Sequence, residues 1–138
     1  MIAKMFYPIG WLAPVIVTAK KFMQSLWLLK CGWNDVLPRE YSIHWASFDI
    51  KLGALSQLQI PRWIGLAKHD KRLEIHGFAD ASMKAYSAVL YLRKIKEDKI
   101  IINFQCAKTQ VAPVKTVSIP RLELCAAELL AKLVDHYQ

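Results

Sequence analysis

The 138-residue sequence predicts a mixed α/β chain: an N-terminal αα-hairpin, then a three-stranded antiparallel meander closed by an α-helix. Three observations predict it. Val15, Ala19, Phe22, Leu26 and Leu29 recur at helical spacing in the first part of the chain. Beyond Pro61 the period drops to two, with Tyr86, Ala88, Leu90 and Leu92 alternating with Ser87, Val89, Tyr91 and Arg93. The helical period then returns in Leu122, Ala126, Leu129, Leu133 and Tyr137.

In order, Tyr7-Pro8-Ile9-Gly10 punctuates an extended or turn-like start. A helix is expected from about Pro14, a residue suited to a first helical turn, to the stop at Cys31-Gly32. Trp33 to Pro38 reads as a turn, and a second helix as Arg39 to Gln57, whose apolar positions Ile43, Phe48, Leu52 and Leu55 are less regular. Gln59-Ile60-Pro61-Arg62-Trp63 is a linker, because proline bars further helix. The division expected is therefore 1–62, helical, and 63–138, sheet plus helix. Strands are expected at Leu73–Asp80, Ala85–Arg93 and Lys99–Ala107, with Lys94 to Asp98 as a charged, solvent-exposed tip and Lys108 to Ser118 as a loop. Short connections make neighbouring strands antiparallel. Ser118 suits an N-cap, Pro120 the first turn and Lys132 the cation-favouring end of the last helix.

A hydrophobic content of 54% with 22% charged residues excludes a disordered chain, and no apolar run is long enough to span a membrane. The apolar stretch after Lys4 is broken by Pro8, Gly10 and Pro14, which argues against a secretory signal. A formal charge of +8 suits a polyanionic partner such as nucleic acid, or simply a solubilising surface. Cys31, Cys106 and Cys125 are an odd set without CxxC spacing, so a reducing, cytoplasmic setting is expected and not a disulfide framework or zinc site. The five tryptophans cluster in and around the helical half, where packing explains them better than base stacking.

His76-Gly77-Phe78-Ala79-Asp80-Ala81-Ser82 is the stretch that suggests chemistry. Alternation puts His76, Phe78 and Asp80 on one face, and the small residues after Asp80 leave its carboxylate open to a hard cation. Taken alone, an Asp at a strand end is more often a turn-former.

Asp80-Ala81-Ser82 with Ala85-Tyr86-Ser87-Ala88-Val89-Leu90 resembles the first two strands of the ribonuclease H domains of retroelement polyproteins. Ala107-Lys108-Thr109-Gln110-Val111-Ala112-Pro113 and Ser118-Ile119-Pro120-Arg121-Leu122-Glu123-Leu124-Cys125-Ala126-Ala127 resemble, more particularly, BEL/Pao retrotransposon polyproteins in the Pao retrotransposon peptidase region. Tyr7 to Val15, Trp33 to Pro38 and Ile60-Pro61-Arg62 agree, so the resemblance spans nearly the whole chain. Tyr7 stands where an Asp is expected.

The resemblance implies a fragment of a Pol polyprotein: the thumb or connection end of a reverse transcriptase, then a truncated ribonuclease H-like unit. Its partners would be an RNA–DNA hybrid and the rest of the polyprotein, with no membrane. The activity implied is cleavage of the RNA strand by two magnesium ions held on carboxylates. Asp80 would be the strand ligand and Glu123, in the first turn of the last helix, the helix ligand; Glu128 is the rival. Lys108, Lys115 and Arg121 would meet phosphates, or form a solvated loop. The chain stops before the elements that supply the remaining acids, so little or no cleavage is expected from it alone. Two alternatives stay open. One is an aspartic peptidase, although Asp80-Ala81-Ser82 lacks the glycine of that loop; the other is a non-catalytic fragment that binds nucleic acid or protein.

Overall fold

The computed structural model describes residues 10–32, 34–59, 73–96 and 99–137; Tyr7 to Ile9, Trp33, Ile60 to Trp63 and Glu97-Asp98 lie outside them. Along the chain come α1 (Ala13–Leu29), α2 (Arg39–Leu52), a 3-10 turn (Gly53–Gln57), β1 (Leu73–Ala81), β2 (Ala85–Lys96), β3 (Lys99–Val111) and α3 (Ile119–Tyr137). The fold is the expected one: two helices, an antiparallel meander of order β1-β2-β3, and a final helix.

Pro14 opens α1 as expected, and Lys30 closes it in the left-handed conformation, its N–H donating to Trp27 O. Gly32 N–H then meets Asp35 Oδ2 at 2.7 Å, within the turn that precedes α2. The second helix loosens into a 3-10 turn at Gly53, where the lack of a side chain weakens helix. Phe22 joins the pair, stacking on His44 at 5.5 Å and on Trp45 at 5.3 Å.

The strands run longer than expected. β2 continues through Lys94, which is only 5% exposed, so the charged tip starts later than predicted. The physical reason is pairing: Lys94 faces Ile101 and Ile95 faces Ile100, β-branched residues that favour extended backbone. β3 likewise continues through Lys108, Thr109, Gln110 and Val111, opposite Ala88, Ser87, Tyr86 and Ala85; Lys108 is therefore a strand residue and not a loop residue.

The pleat divides the sheet into two faces. Ala88, Leu90, Leu92 and Cys106 are buried on one, where α3 lays down Leu122, Ala126 and Leu129. Gly77 makes that close approach possible, because a side chain there would meet the Leu130 methyl at 2.7 Å. On the other face, α1 docks against β3. A register shift at Leu90/Tyr91 leaves Gln105 as an extra residue, so that Phe104, Ala107 and Thr109 all turn towards α1. Trp11 packs on Phe104 at 4.4 Å, Gln24 donates to Ala112 O at 2.7 Å and Lys20 Nζ to Thr109 O at 3.2 Å. Gly10, with a φ of +80°, lies so close to Ala107 that any side chain would strike its carbonyl.

Candidate nucleic-acid and carboxylate site

Asp80 is the penultimate residue of β1, exposed, with Oδ1 accepting the Ala81 N–H at 2.8 Å. The hairpin beyond it is held by Ser82, whose N–H and hydroxyl both reach Ala85 O, at 2.9 and 3.0 Å. Asp80 faces the α1 side, in the wall of a cavity of about 490 Å³ shared with Trp11, Pro14, Val17, Tyr91 and Phe104. His76, on the same face, is exposed. Its Nε2 lies 3.0 Å from Glu74 Oε2, which also accepts Arg93 Nη1 at 2.7 Å. These bonds, from His76 first and then Arg93, hold the Glu74 carboxyl below the usual carboxylate range.

Glu123 is exposed and makes no hydrogen bond or ion pair with a described residue. The helix begins at Ile119, with Ser118 O accepting the Arg121 and Leu122 N–H groups, so Glu123 falls in the second turn, not the first as expected. Glu128 is engaged: Lys132 Nζ donates to its Oε1 at 2.6 Å, which lowers the acid and raises the ammonium from their ordinary values.

Helix geometry separates the two glutamates. Leu130 sits over Gly77 of β1. Glu123 is on the same flank, two turns or roughly 10 Å towards the helix start. Asp80 is three strand residues from Gly77, also roughly 10 Å. Both displacements run to the same end of the sheet, because Tyr86, the register partner of Ala81, lines a cavity with Leu122 and Cys125. Glu123 thus lies on the β1 flank of α3, while Asp80 faces the opposite side of the sheet. Glu128 leans the other way, close enough to Tyr86 to act on its phenol. Burial first, then Cys125 and Glu128, push that phenol above its ordinary value, and its hydroxyl donates to Gln110.

The second cavity, about 510 Å³, is lined by Tyr86, Thr116, Ser118, Lys115 and Arg121 at the start of α3. It brings together two of the three expected phosphate-binding cations. Lys108 is exposed on β3, on the α3 side and two positions before Gln110, outside that cavity.

Carboxylate oxygens suit a hard cation such as magnesium. Among the described residues, however, no three His, Cys, Asp or Glu gather into a metal-holding group, so Asp80 and Glu123 do not by themselves make a metal centre. Among the described residues no cysteine is in a disulfide, and no helix is long and apolar enough to cross a membrane. Sequence reasoning missed the aromatic wall around Asp80, which the register shift in β3 creates.

No match was found among curated proteins or among solved structures. The family model of the Pao retrotransposon-like RNaseH-like domain matches residues 1–138, helical pair, meander and final helix together. The chain belongs to that family.

Proposed function

We propose that this chain binds an RNA–DNA hybrid within a retrotransposon Pol polyprotein in the cytoplasm, and supplies part of a ribonuclease H carboxylate set. The observation that carries this reading is the pair of cations, Lys115 and Arg121, that line one cavity at the start of α3. Asp80 lies at the end of β1 on the α1 side of the sheet, and Glu123 is exposed in the second turn of α3. Cations at a helix N-terminus, where backbone N–H groups are also unpaired, favour phosphate oxygens. Asp80 and Glu123 are two carboxylates of a larger set whose other members come from elsewhere in the polyprotein, and magnesium would supply the charge stabilisation there. The chain alone does not cleave. The peptidase alternative needs a second acid sharing a proton with Asp80, and the hydrogen bond Asp80 makes is to the Ala81 N–H.

The test is binding of a labelled RNA–DNA hybrid across a salt series. Lys115→Ala with Arg121→Ala weakens binding and lowers the salt slope by about two; an unchanged slope overturns the phosphate role. With magnesium added, the hybrid stays intact; robust cleavage abolished by Asp80→Asn refutes the partial-site reading.

A further inference from the structure

A row of aromatic rings crosses the sheet on the face turned away from α3. Phe78 meets Tyr91 edge-on at 6.1 Å, Tyr91 meets Phe104 edge-on at 5.8 Å, and Phe104 meets Trp11 at 4.4 Å. The row touches all three strands and ends on the N-terminal segment. Its two ends are open, Phe78 being 58% exposed and Trp11 37%. The cavity of about 490 Å³ lies along the row, with Asp80 and Ser87, register partners on β1 and β2, in its polar wall.

We infer that this face is a stacking surface for an unpaired nucleic-acid strand, with one base entering the cavity beside Asp80. The inference rests on the nucleic-acid reading above and adds a second, single-stranded subsite to it. A base is flat and apolar on its faces, so exposed rings receive it without regard to sequence. Its edge carries an N–H donor, amino or imino, which the Ser87 hydroxyl in the cavity wall accepts.

Charge favours a nucleic-acid strand over an apolar peptide. Among the described residues Glu74 and Asp80 are the acids of this face, and Glu74 is already paired with Arg93 at 2.7 Å. Lys20 Nζ donates to the carbonyl of Thr109, which lines the cavity, and Lys84 lies in the turn between the lining residues Ser82 and Ala85, so both cations are available to a backbone passing there. The chain as a whole carries +8.

The test uses the full chain with a single-stranded oligonucleotide carrying 4-thiouridine, irradiated and mapped by mass spectrometry, alongside affinity measurements. Adducts are expected on Phe78, Tyr91, Phe104 or Trp11. Phe78→Leu, an exposed position whose loss leaves the circular dichroism unchanged, lowers single-strand affinity about tenfold. Adducts confined to the α3 start or to α2, or an unchanged affinity in Phe78→Leu, overturn the inference while leaving hybrid binding intact. Failure of the wild-type chain to bind either the single strand or the hybrid overturns both readings. Protection of Phe78 by a protein segment in the intact polyprotein, without adducts, assigns the face to protein packing and overturns the inference alone.

Discussion

On the α3 side of the sheet, Ala88, Leu90 and Cys106 meet Leu122, Ala126 and Leu129 with almost no solvent contact; on the α1 side, Phe78, Ile100 and Ile102 stand largely exposed. The same three strands build both faces, and alternation alone separates them. The covered face is aliphatic and closely packed, and Gly77 lets the helix approach. The other face holds aromatic rings, hydroxyls and Asp80, and α1 covers only part of it. A face closed by its own helix serves stability, whereas a half-covered face beside an open carboxylate is available to a ligand.

The comparison breaks most readily on the covered side. Leu122→Ala removes a fully buried side chain and should cost about 2–5 kcal/mol in urea unfolding; a loss like that of a surface substitution would mean that α3 does not close the core. Gly10→Ala should come next, at about 1–3 kcal/mol. A methyl there strikes the Ala107 backbone, so α1 lifts, Trp11 emission shifts to the red, and the sheet's circular dichroism persists. Cooperative loss of the sheet together with α1 would show that the open face is as structural as the closed one.

Two titrations sharpen the same contrast. The raised Tyr86 phenol should ionise after an ordinary tyrosine in ultraviolet titration. Because its folded value is raised, the stability it contributes is present below the unfolded tyrosine value and is lost as pH climbs through the folded one. On the open face the sign reverses. Glu74 is lowered, so its contribution is present above the unfolded carboxylate value and fades as pH falls through the folded one. Carboxyl NMR should show Glu74 titrating low, and salt should return it towards the ordinary value, since the group is exposed. Smallest of all, Lys132→Ala should leave the unfolding midpoint unmoved while Glu128 returns to an ordinary carboxyl titration.

The α3 stripe was legible because a 3.6-residue repeat of Leu and Ala leaves little choice of buried face. Asp80 at a strand end was legible for the same kind of reason, from alternation. The extension of β3 through Lys108 was not. Lysine carries no strand signal, and only the opposing Tyr86, Ser87 and Ala88 hold it extended. Burial of Lys94 was hidden likewise, since a charged residue near a turn reads as exposed until its cross-strand partners are known. Preference for Glu123 over Glu128 came from the motif; the structure adds that Glu123 lies on the β1 flank while Glu128 is tied to Lys132.

Local periodicity thus determined by itself the order of helices and strands, the face that α3 buries and the place of Asp80, because these depend on neighbours within one or two turns. Tertiary structure alone decided that Gly10 lies against Ala107, that an extra residue at Gln105 turns Phe104 towards Trp11, and that Asp80 and Glu123 belong to opposite faces of the sheet. Those relations join residues far apart in the chain, and no local pattern records which distant backbone a glycine will touch.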